Sequence, residues 1–198
     1  MDVKSLKEEQ SERTRRALLD VARALFAERG YAATSTEEIV QRARVTRGAL
    51  YHHFRDKRDL FLAVFEELER EIIGKVTARS SKEPDVWATV LAGIRAFLDA
   101  CMEPAVQRVV LLDAPSVLGW ERWREIDEHY GLGLVRASIE ASIGAGAIAP
   151  QPVDALAHMF LGALNEAALM IARADDPRRT RTEVEETLVR LLEGLRVR

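Results

Sequence analysis

An all-α fold follows from three features of the 198-residue chain. Leu, Ala, Glu and Arg dominate it, and most of these lose little on entering a helix. Its apolar residues recur three and four positions apart, and no stretch alternates polar and apolar between turn signals. Its six prolines (Pro84, Pro104, Pro115, Pro150, Pro152 and Pro177) each stand where such a pattern starts or stops. About nine helices are therefore expected, and no strand.

The first helix is expected over 9–29, where Leu18, Val21, Ala22, Leu25 and Phe26 form one stripe and Gly30 follows as a stop signal. A short helix over 36–43 is opened by Ser35 with Glu38 three residues on, a capping-box pattern, and Ile39 supplies its core contact. Thr46 is a natural N-cap for another short helix over 47–53, anchored inward by Leu50 and Phe54. Lys57 opens the next, over 57–79. Pro84 precedes a helix over 84–101, striped by Trp87, Val90, Leu91, Ile94, Phe97, Leu98 and Cys101. Pro104 and Pro115 bound a helix over 104–113 and then a long one over 117–145. The segment 152–173 is apolar or small nearly all round, so it is buried on more than one side. Val184, Leu188, Leu191, Leu192 and Leu195 mark the last helix, over 180–196.

Composition narrows the function classes. The length suits one compact unit or a small domain fused to a larger one. Eleven Gly and six Pro are too few for a linker-rich chain. The lone Cys101 excludes an internal disulfide, and no leader-like stretch opens the chain, so a cytoplasmic location is expected. No uncharged apolar run is long enough to suggest a membrane span. Residues 1–60 carry 13 Lys/Arg against 10 Asp/Glu, and the remainder 16 against 22, so a net charge of +3 sits on one of -6. A basic first third on an acidic remainder points to an anionic partner for the N-terminal part.

Two short helices joined by a turn at Arg44 and Val45 make a helix-turn-helix, whose second helix can enter a DNA major groove. Arg47 can form two parallel hydrogen bonds to guanine, Gly48 and Ala49 permit close approach, and Tyr51 and His52 can reach phosphate or base. Lys57, at a helix start, is placed for a phosphate.

The stretches ALLDVARALFAERGYAATS, EEIVQRARVTRGALYHHF and DKRDLF resemble the DNA-binding domain of the TetR/AcrR family of bacterial one-component regulators. The likeness is carried by Phe26, Gly30, Tyr31, Thr34, Ser35, Val45, Thr46, Gly48, Leu50, Tyr51, His53, Phe54 and Lys57. One departure is Arg44, where the family usually has Gly; a positive φ there would cost about 1 kcal/mol unless offset. The resemblance implies a helix-turn-helix head over 1–56 and a ligand-binding and dimerisation domain over 57–198. It further implies a homodimeric repressor on a palindromic operator in double-stranded DNA, released by a small molecule. DNA contacts are then expected from Thr34, Ser35, Arg44, Thr46, Arg47, Gly48, Ala49, Tyr51, His52 and Lys57. The last two helices are expected to pair with their symmetry mates through Phe160, Leu164, Ala168, Leu188 and Leu192.

Aromatic and soft side chains of the C-terminal part offer an effector lining: Trp87, Phe97, Cys101, Trp120, Trp123, Tyr130 and Met159, with Asn165 as a polar group. Asp127, His129 and His158 also interrupt apolar helices; His158 has an ordinary reading as a satisfied core or seam residue, and Asn165 one as an interface hydrogen-bonder. With few charges on that lining, a hydrophobic or weakly polar effector is expected. The glycine-rich run Gly144–Ala149 lies at a helix end rather than after a strand, so it is no dinucleotide site. His52 and His53 diverge by about 100° on a helix and cannot share a metal. No catalytic set is apparent, so neither enzyme activity nor a cofactor is expected. The competing reading is a helical interaction or small-molecule-binding protein whose helix-turn-helix no longer binds DNA.

Overall fold

The computed structural model describes residues 3–197, all of them helix, turn or loop apart from one isolated antiparallel bridge between Ile148 and Arg196. Nine α-helices and one π-helix follow each other in chain order. They are α1 (Val3–Ala33), α2 (Thr36–Ala43), α3 (Arg47–His53), α4 (Lys57–Ser80), α5 (Val86–Ala100), the π-helix Val106–Asp113, α6 (Ala114–Leu118), α7 (Trp120–Gly144), α8 (Val153–Arg173) and α9 (Pro177–Glu193).

One core runs through the whole molecule, because α4 serves both ends of it. Its first turns bury Leu60, Phe61, Val64 and Phe65 under α1, while Ile72 and Val76 lie further along against α5. Phe26, Tyr31 and Phe61 close the N-terminal end as an aromatic cluster in which Phe61 meets the other two rings edge-on, with centroids 5.1–5.9 Å apart. Helices α7, α8 and α9 pack side by side around the other end. Although α8 is long and apolar enough to cross a bilayer, it packs here against α7, α9 and the π-helix.

Helix α1 breaks at Gly30, whose φ of 79° ends the regular helix where the sequence placed its stop. α1 begins at Val3, well before the expected position 9, and four later elements also depart from expectation. The segment after Pro104 winds as a π-helix, with the Ala114 N–H reaching back five residues to Val109 O. Pro115 then lacks an N–H, and a short α6 follows. The long helix begins only after Gly119, at φ 89°, which separates α6 from α7. The last helix starts at Pro177 rather than 180, because Asp176 caps it by accepting from Arg179 N at 3.1 Å. It stops at Glu193, and the tail pairs with the loop before α8 through Val197 N to Ala147 O at 3.0 Å.

Candidate nucleic-acid interface and buried cavity

The turn between α2 and α3 is built by local hydrogen bonds. Ser35 Oγ accepts from Glu38 N at 3.1 Å, and Thr46 Oγ1 from Ala49 N at 3.1 Å. The reciprocal half of the capping box is not made; Glu38 binds Arg29 and Arg42 instead. Arg44 adopts the left-handed conformation, φ 56° and ψ 40°, and Val45 N reaches Val40 O at 3.0 Å, which closes the α2 terminus. Leu50 and Phe54 are buried, which turns Arg47, Gly48, Tyr51 and His52 to solvent. Arg47 pairs with Glu37 at 3.4 Å and lies 5.5 Å from the centre of the Tyr51 ring. Ala49 is half-buried. A Cβ on Gly48 would meet only Thr46 Oγ1, at 3.9 Å, so nothing inside the chain demands a glycine there.

Two of the expected contact residues are turned inward. Thr34 is buried and its hydroxyl donates to Gly30 O at 2.8 Å. The Lys57 ammonium donates to Tyr31 O at 2.8 Å and Thr34 O at 2.9 Å, and sits 4.0 Å from the Tyr31 ring centroid. Burial lowers its pKa. Lys57 thus caps the carbonyls at the end of α1, where only electronegative oxygens are left. Beside it a shallow polar depression is lined by Thr34, Ser35, Thr36, Glu37, Tyr51 and Lys57, at the N-terminal end of α2.

The C-terminal half encloses a cavity of about 320 Å³ between α4, α5, α7 and α8. Of the residues proposed to line an effector site, Trp87 and Phe97 lie on its wall. The other expected lining residues do not. Trp120 and Met159 are exposed, at 52% and 75%, because each lies on the outer side of its helix. Trp123 is buried elsewhere, donating Nε1–H to Val110 O at 3.0 Å. Cys101 and Tyr130 pack in the core without reaching the cavity wall. Asn165 stands behind the wall and donates to an Asp127 carboxylate oxygen at 2.6 Å. His158 is exposed beside Glu128.

Asp127 itself lines the cavity, and so does Glu69, which the sequence did not single out. Glu69 is 5% exposed. Burial, reinforced by the Asp127 charge, pushes it up to about 8, and burial pushes Asp127 up to about 6 against the pull of Asn165. The wall therefore carries two carboxyl groups where a nearly charge-free lining was expected. The signal for Glu69 was its place on the apolar stripe of α4, four residues after Phe65 and three before Ile72.

The residues expected in a subunit seam are mostly buried in their own chain. Leu164, Ala168, Leu188 and Leu192 are buried within the single chain, and half-buried Phe160 faces the cavity. Periodicity finds the greasiest stripe, and in α8 and α9 that stripe packs on the chain's own core. The large apolar side chains left exposed on these helices are Met159, Met170 and Leu191.

Head and body meet at the π-helix. Tyr31 N donates to Asp113 Oδ2 at 2.7 Å, Arg108 approaches Asp113 Oδ1 at 3.4 Å, and the Arg108 guanidinium lies where a Cβ on Gly30 would be. From α4, Arg58 donates to Val117 O and Leu118 O, both at 2.9 Å.

Comparison with known proteins matches both halves. Residues 18–64 match the family described as bacterial regulatory proteins, tetR family, and residues 87–195 match a tetracyclin repressor-like C-terminal domain. The TetC protein of transposon Tn10 from Escherichia coli is 27% identical over 162 residues, 82% of each chain. The regulator AcrR of Shigella flexneri is 47% identical over 64 residues, 32% of this chain and 30% of that one. A crystal structure of a TetR-family transcriptional regulator from Pectobacterium atrosepticum is 38% identical, covers 96% of this chain and 97% of that one, and superposes with a TM-score of 0.87.

Proposed function

This chain belongs to the TetR family of bacterial transcriptional regulators, and on that premise we propose how it binds DNA and what releases it. The proposal is a cytoplasmic dimeric repressor on a palindromic operator. In each subunit, residues 1–56 form the head and 57–198 the body that holds the effector and the partner.

The observation that carries this reading is the outer face of α3. Glycine is a poorer helix former than alanine, and nothing among the described residues explains Gly48. A DNA surface pressed against that face would explain it. Arg47 then leaves Glu37 to read a base edge, with Tyr51, His52 and the half-buried Ala49 flanking it. A phosphate fits the depression between the α2 N-terminus and Tyr51, held by the backbone N–H groups near Ser35 and by Lys57's remaining proton. Thr34 supports these contacts through the backbone, since its hydroxyl donates to Gly30 O, whereas exposed Thr46 accepts from Ala49 N and keeps its hydroxyl proton for a phosphate.

Pairing of α8 and α9 with their symmetry mates, through Met159, Met170 and Leu191, would set two copies of α3 about 34 Å apart, one turn of DNA. An effector in the cavity acts only through its preference for a spacing that DNA does not accept. The joint at Tyr31, Asp113 and Arg58 is the route by which a shift of α4 or the π-helix reaches the head.

Fluorescence anisotropy with DNA from upstream of its own gene tests the whole reading. Saturable, salt-dependent binding that tolerates excess unrelated DNA is expected. Binding equal to that on unrelated DNA would instead favour a helix-turn-helix that no longer reads sequence.

A further inference from the structure

We propose that the cavity takes an amphiphilic organic cation, an amine or quaternary ammonium on an apolar body, whose charge is met by Glu69 with Asp127 beside it. The inference rests on reading this cavity as the effector site.

Glu69 lines the cavity from α4 while only 5% exposed, and it makes no hydrogen bond or ion pair among the described residues. Asp127 comes from α7 and holds Asn165 of α8 behind it. Among the described residues, no Lys, Arg or His lines the cavity. The thiol of Cys101, at the end of α5, is pushed up by burial and by both carboxylates, so it stays neutral and adds no further negative charge. The remaining wall is mostly aliphatic and aromatic with several Ser and Thr side chains among them, and Trp87, Phe97 and Phe160 present rings that also attract cations.

The sign of the guest's charge decides how well it fits this wall. A buried carboxylate without a partner is costly, and an entering cation provides the partner. An anionic guest would add a negative charge beside Asp127, and a neutral one would gain no ion pair from Glu69. Near neutral pH and with no cation beside it, Glu69 is a neutral acid, because burial pushes it up to about 8. A permanent cation favours its carboxylate form, so the Glu69 proton passes to solvent as the ion pair forms.

Isothermal titration of the full-length protein with three probes that share a phenylbutyl body tests this: the trimethylammonium, the alcohol and the carboxylate. The cation is expected to bind about tenfold tighter than the alcohol, with the carboxylate weakest. Its heat should vary with the buffer's ionisation enthalpy, reporting the released proton, and the alcohol's should not. Glu69→Gln should lower cation affinity about tenfold and abolish proton release, yet leave the alcohol within about twofold. Asp127→Asn, a second variant in case the first does not fold, should weaken the cation about threefold. If the alcohol or the carboxylate binds wild type as tightly as the cation does, the charge assignment is wrong and the cavity survives as the effector site. If none of the three binds and none alters DNA affinity, the cavity reading falls together with the proposal.

Discussion

The backbone N–H of Tyr31 donates to the side chain of Asp113 across 2.7 Å, joining the broken end of α1 to the last residue of the π-helix. It is a charge-assisted bond between the part that would meet DNA and the part that encloses the cavity. Asp113→Ala leaves that N–H without its acceptor and Arg108 without its partner at 3.4 Å. A loss of about 1–3 kcal/mol in denaturant-induced unfolding is expected. Unchanged stability would show that the joint is not held there.

Arg44→Gly should stabilise the protein by about 1 kcal/mol, because a left-handed residue with a Cβ is strained at φ 56°. The denaturation midpoint checks this. If the exposed guanidinium also meets a phosphate, the slope of log affinity against log salt will fall by about 1 in the same variant.

Arg47→Ala should cost about 1–3 kcal/mol on the preferred operator and relax the choice at one base pair. Lys57→Met should weaken binding to all sequences alike and also lower the melting temperature, since the ammonium caps Tyr31 and Thr34 carbonyls. Competition with mutated operators separates the two. A sequence-selective loss in the lysine variant would mean that its role had been misread.

Leu191→Glu should give folded monomers in sedimentation, because the side chain is 59% exposed on the subunit. Leu164→Glu should unfold the chain instead, since it places a charge in the subunit's own core. A folded dimer from the first variant would move the seam elsewhere.

Stability should fall as pH rises from about 5 to 8, and Glu69 is the reason. Its folded value, about 8, lies above the ordinary range for a glutamate, so the folded state holds a proton that the unfolded chain has already lost. Asp127, at about 6, adds to the lower part of that window. Each such proton contributes a slope of up to about 1.4 kcal/mol per pH unit. Glu69→Gln should flatten the curve and be more stable than wild type at the upper end. Chemical denaturation across this range checks the sign.

The helix-turn-helix could be read from the chain because its signals are local. Ser35, Thr46 and Gly30 act on backbone groups within a few residues, and Leu50 and Phe54 leave one outward face for α3. The Asp176–Pro177 start of α9 was equally legible and was placed three residues late. The π-helix had no such signal, since its extra residue per turn depends on what packs around it. Glu69 was hidden by its neighbours: in a run with Glu66, Glu67, Arg70 and Glu71 it looks like one more solvated charge.

Spacing and capping along the chain thus decided that the protein is helical, where most helices begin and end, and which face of α3 is polar. They could not decide which body an apolar stripe packs against, so Leu164 and Leu188 suited a partner subunit as well as their own core. Periodicity records that a side chain leaves water, whereas its neighbours come from segments far away in the chain. Glu69 of α4 faces Asp127 of α7 only after the helices between them have folded back, and that closure makes both the cavity and its charge.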